Sequence, residues 1–73
     1  MPIGRVKWFN VSSGFGFITP KNGNRDVFVK IDEVRKAGLE SLMIGERVNY
    51  DLERSRDENP TAINIISMDR QQK

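Results

Sequence analysis

Trp8, Phe9, Phe15 and Phe17 fall within ten positions of a chain that has only six aromatic residues. Such rings can stack on flat π-systems. Lys7 precedes the first of them, and Lys30 follows Phe28 by two residues. Rings for bases and cations for phosphates are the two ingredients of single-strand nucleic-acid binding. The competing reading is that the rings form a core and the lysines solvate a face. Groups for bond-making chemistry are scarce. With no histidine and no cysteine, a disulfide, a thiolate or zinc site and a histidine base are all excluded. No set of carboxylates, lysine, serine or tyrosine is marked out for catalysis, so neither an enzyme nor a cofactor is expected.

Three local patterns carry less than they suggest. "GFGFIT" is not a dinucleotide fingerprint, because Thr19 stands where the third glycine belongs. "DLERSRDE" alternates like a calcium loop, but Arg56 replaces the glycine that the turn needs. Asn10-Val11-Ser12 fits a glycosylation sequon, which matters only with a secretion signal, and "MPIGRVKWFN" lacks the apolar core of one.

Length and charge narrow the class. Seventy-three residues are read as one domain, 1–73, with 69–73 as a frayed tail. The apolar runs are too short to cross a bilayer, and the expected location is cytoplasmic. Net charge is +2 but uneven. Residues 1–30 hold five cations against Asp26, which is +4, while residues 31–73 hold seven cations against nine acids, which is −2. The basic part is also the aromatic part.

Five short strands must position these residues. "GRVKWFN" (4–10), "FGFITP" (15–20), "DVFVKI" (26–31), "ERVNYDLE" (46–53) and "TAINIISM" (61–68) are rich in β-formers and separated by turn clusters. Asn22-Gly23 predicts a hairpin joining the second and third. One or two helical turns are expected after the third strand, capped by Asp32, with Val34 inward, Lys36 near the end and Gly38 as terminator. Short strands in so small a domain predict an all-β fold, a closed or nearly closed barrel.

Strand three separates inside from outside. One face carries Val27, Val29 and Ile31; the other carries Asp26, Phe28 and Lys30. Burying Phe28 would drag two charges inward at a cost of several kcal/mol if they were unpaired, so Phe28 is expected outside. Pairing through the hairpin then places Ile18 inside and Phe15, Phe17 and Thr19 outside, with Gly16 inward. A core placement of Phe15 and Phe17 is the alternative. Val6, Ile18, Val27, Val29, Val48, Leu52, Ile63 and Ile65 form the expected core. Alternation groups Trp8 with Val6, so Trp8 is inside unless a bulge separates them.

With these motifs in order, "GRVKWFN…SGFGFITP…DVFVK" resembles the bacterial cold-shock protein family. "SGFGFI" is similar to its first ribonucleoprotein motif and "DVFVK" to its second, while "GERVNYDLE" and "NPTAINI" resemble its last two strands. The resemblance runs from about Ile3 to Ile66. It implies a five-stranded antiparallel barrel of the OB type, with one short helical turn between strands three and four. It also implies binding of single-stranded RNA and DNA, with ligand contact by Lys7, Trp8, Phe15, Phe17 and Phe28, and Phe9 and Asp26 as lesser members. Trp8 is then expected at the surface. The chain departs from the family pattern at Ser13, Lys30, Ile31 and Leu39, where the family often has a charged residue, histidine and two aromatics. The last-loop arginine is also displaced, with Glu58 before Asn59-Pro60 and Arg54 and Arg56 nearby.

The expected mechanism is stacking of unpaired bases on the rings, with Lys7 and Lys30 meeting phosphates and Lys21 or Arg25 as further candidates. Holding single strands open would make the protein an RNA chaperone with roles in transcription or translation, or in cold adaptation. A monomer is the simplest expectation. The rival function is a protein-interaction module that uses the same patch for a partner or a second copy.

Overall fold

β-Branched and aromatic residues broken by turn clusters build the strands that the sequence predicts. The computed structural model describes residues 2–23, 25–54 and 60–69. Its strands are β1 (Ile3–Asn10), β2 (Phe15–Pro20), β3 (Val27–Lys30), β4 (Arg47–Glu53) and β5 (Thr61–Ser67), with the helix α1 (Ile31–Lys36) between β3 and β4. They close into a barrel in the order β1-β2-β3-β5-β4, the OB-type architecture expected.

Four neighbouring pairs are antiparallel, and the fifth, β3 against β5, is parallel. The reason is arithmetic: an odd number of strands cannot alternate in direction all the way round a closed ring. The parallel seam is short. Its register is Phe28 opposite Thr61, supported by the Phe28 N–H donating to the Pro60 carbonyl at 3.2 Å.

Val6, Ile18, Val27, Val29, Val48 and Ile65 are buried as predicted, and Tyr50, Val34, Leu39, Leu42 and Ala62 join them. Two expected core residues lie elsewhere. In β5 the register slips by one between Asn49 and Asp51 of its partner, and Asn64 takes a left-handed φ of 51°. That extra residue reverses the alternation, so Ala62 and Ile65 point inward while Ile63 pairs with Asp51 outside. Leu52 lies at the barrel mouth beside Pro2, Pro20 and Tyr50, where no further layer covers it.

The helix begins directly at Ile31, so Asp32 lies within its first turn instead of capping it. The N-cap residue is Lys30, without a side-chain bond. Asp32 and Glu33 at the start and Arg35 and Lys36 at the end suit the helix dipole. Gly38 terminates it as predicted, at φ 84°. Its N–H reaches the Arg35 carbonyl and that of Leu39 reaches the Val34 carbonyl, which is a Schellman closure. Asp69 is held by the Arg47 guanidinium and backbone; the rest of the predicted tail, 70–73, lies outside the described residues, as do Arg56 and Glu58.

Candidate nucleic-acid interface

One row of rings crosses three strands. On β1 and β2, Trp8 stands opposite Phe17; on β2 and β3, Phe17 stands opposite Phe28. Phe15 extends the row, with Asn10 on one side and Lys30 on the other. The inward partners of the same strands are Ile18 with Val27 and Gly16 with Val29. The charges of strand three and the hairpin register thus place the phenylalanines as expected, and the core placement of Phe15 and Phe17 does not occur.

The surface position of Trp8 is made by a bulge. β1 and β2 pair as Val6 with Ile18, then as Trp8 with Phe17, leaving Lys7 as the extra residue. That single insertion turns Trp8 away from the face of Val6. It also sends Phe9 opposite Gly16, where the ring packs against the barrel core. A Cβ on Gly16 would strike the Trp8 carbonyl oxygen and come within 2.7 Å of the Phe9 Cα. Glycine is therefore the residue that lets β1 approach closely enough to carry both rings. Phe9 supports the platform from below and does not stand in the row.

The four platform rings have centroids 5.4–6.3 Å apart and are tilted or edge-on, with interplanar angles of 32° to 85°. Edge contact suits the ring quadrupoles, and it keeps ring faces from being used up on one another. The rings are half-buried, because each shields its neighbour's rim. Outward-facing phenylalanines were expected; their mutual packing adds that they form a preassembled surface.

Charged groups border the rings. Lys7 Nζ donates to Asp26 Oδ2 at 3.0 Å, and Thr19 Oγ1 donates to Asp26 Oδ1 at 3.2 Å. The Lys7 hydrogen bond, with help from Thr19, holds the Asp26 carboxyl below its ordinary 3.8, against a smaller opposing effect of desolvation. Lys30 is exposed beside Phe15 and makes no ion pair among the described residues. Alternation places Thr19 on the ring face, but its bond to Asp26 is not legible in the sequence because the two residues meet only across the β2–β3 hairpin. Lys21 and Arg25 do not stand among the rings. Lys21 lines a groove with Arg5, and Arg25 lines the barrel mouth with Arg54.

Two positions where the family often has rings are filled differently. Leu39 is buried in the core, and Ile31 is half-buried against it. Ser13 is exposed in the β1–β2 turn, its N–H donating to Asn10 Oδ1 at 3.0 Å. Among the described residues, no group of three or more acidic residues could hold a metal ion, and no helix is long and apolar enough to cross a membrane.

Comparison with known proteins agrees with this geometry. Residues 3–68 match the family described as the 'Cold-shock' DNA-binding domain. The Cold shock-like protein CspE of Escherichia coli strain K12 is 43% identical over 65 residues, covering 89% of this chain and 93% of that protein. A probable cold shock protein of Sinorhizobium fredii is 50% identical over 56 residues, covering 77% and 81%. The Cold shock-like protein CspC of Buchnera aphidicola is 42% identical over 65 residues, covering 89% and 93%. A closed five-stranded barrel with an outward aromatic row, matched along nearly its whole length, makes this chain a member of the cold-shock domain family of nucleic-acid-binding proteins.

Proposed function

We propose that the ring face binds single-stranded RNA or DNA and that the protein acts as an RNA chaperone. The observation that carries this is the Trp8–Phe17–Phe28 row, continuous across three strands. Rings on a sheet surface can stack unpaired bases but cannot reach bases inside a duplex. Every base has a π-face, so sequence preference is mild, and Lys7 and Lys30 supply the salt-dependent contact with phosphate. On binding, phosphate competes with Asp26 for the Lys7 ammonium. A protein that takes only the open strand shifts a hairpin toward its open form by mass action, with no fuel. The proposed setting is the cytoplasm, as a single-domain monomer without catalytic activity, serving transcription, translation or adaptation to cold.

Trp8 fluorescence provides the test. Titration with short pyrimidine-rich single strands is expected to quench Trp8 in a salt-sensitive way, and a duplex of equal length is expected to leave it unchanged. Phe17→Ala removes the centre of the row. At roughly 1–3 kcal/mol per stacked base, its affinity should fall on the order of ten- to a hundredfold. Unchanged affinity in that variant would refute the stacking platform. No response to any strand, together with concentration-dependent self-association, would favour a protein-interaction surface instead.

A further inference from the structure

The outward ladder of β1 and β2 does not end with the rings. Past the Lys7 bulge, its next outward pair is Arg5 opposite Thr19, and on its other side Arg5 stands opposite Arg47 of β4. A groove of about 640 Å³ follows this line. Arg5, Lys7, Lys21 and Arg47 line it, and Ile44 and Met68 form an apolar wall that is 78% and 41% exposed.

The charges of the groove are only half compensated. Lys7 is paired with Asp26 and Arg47 with Asp69. Arg5 spends one N–H on the Gly45 carbonyl at 3.1 Å, and a guanidinium has further donors to offer. Lys21 is exposed and makes no ion pair among the described residues. Arg5 and Lys21 therefore lie past the Trp8 end of the ring row without an ion pair among the described residues. The Asp69 carboxylate that Arg47 holds also feels the Arg5 charge, so two acids face four cations. Arg5 lies three residues along the strand from Trp8, about 10 Å at ~3.3 Å per residue.

We propose that this groove is an exit track for the strand bound on the platform. Bases stack on the rings, and the backbone leaving the Trp8 edge lays phosphates on Arg5 and Lys21. Ile44 and Met68 shield the sugar or base that has left the stack. Continuity with the ring row selects a nucleic-acid strand over an acidic peptide, and the surplus of two positive charges suits its phosphates. The proposal rests on the single-strand binding described above, and it makes the footprint longer than the aromatic face.

The test compares wild type with R5Q/K21Q on oligothymidylates of about 6 and about 12 nucleotides, within the range of roughly 4–16 that an OB-type fold covers. Affinity is followed by Trp8 fluorescence across a salt series. Both proteins should bind the short oligomer alike, which also reports that the variant is folded. On the long oligomer the wild-type salt slope should be steeper by about 1.4, two phosphates at ~0.7 each. A fourfold rise in salt would then weaken the wild type about sevenfold more than the variant. Equal slopes and affinities for the two proteins at both lengths overturn the exit track and leave the platform intact. Failure of the wild type to bind either oligomer overturns the platform, and the track with it.

Discussion

Asp26 joins electrostatics to the site at the level of single residues. Its carboxylate ties Lys7 to Thr19 across the rim of the platform, fixing a cation beside Trp8. Its folded pKa lies below the ordinary 3.8, chiefly because of the Lys7 hydrogen bond. The unfolded chain therefore takes up that proton first on acidification. The stability that this pair gives is complete above about 3.8 and drains away as pH falls through the lower folded value. Asp69 behaves in the same sense, held down by hydrogen bonds from the Arg47 backbone and side chain. In Asp26→Asn, denaturant midpoints measured from pH 5 to pH 2 should fall less steeply than in wild type. Superimposable profiles would mean that the pair has no role in acid stability.

Two glycines show how elements differ in what they tolerate. Gly16 has no room, because a methyl group meets β1 backbone and neither strand can yield without disturbing the ladder. Gly16→Ala should cost about 3 kcal/mol, the upper end for overpacking, and should also weaken oligonucleotide binding by displacing Trp8. Gly38 has nothing within 4 Å, but its φ is 84°. Gly38→Ala should cost only about 1 kcal/mol, with binding unchanged. Urea denaturation combined with Trp8 titration separates the two. Equal costs would remove the steric account of the β1–β2 approach. The strands themselves were legible in the sequence, because turn clusters and Asn22-Gly23 act locally. Which way Trp8 and Ile63 point was not, because each depends on a one-residue slip against a partner strand.

For the whole molecule, closure has a functional consequence. A closed barrel pairs its strands with one another and leaves the ring face, not a strand edge, as the surface offered to a ligand. Under the proposed function, opening a hairpin needs only mass action. A fluorophore–quencher RNA hairpin should melt at lower temperature as protein is added, with no nucleoside triphosphate present. The shift should grow logarithmically once protein exceeds its dissociation constant and should be much reduced in Phe17→Ala. A hairpin stabilised by the protein, or one opened equally by both proteins, would exclude this mechanism.

The five strands, the hairpin, the helix stop at Gly38 and the outward face of Phe28 are legible in the residues alone, with an outward Phe15 and Phe17 as the favoured reading. Those features follow from local turn chemistry and from the cost of burying Asp26 and Lys30 beside Phe28. Motif order also made the family recognisable. It takes the folded barrel to make Lys7 the bulged residue, to pack Phe9 inward over Gly16, and to give Leu39 and Ile31 to the core. The same holds for Arg5 and Lys21 meeting in one groove. Bulges and barrel closure are settled between strands distant in sequence, where register and packing outweigh the alternation of any one segment.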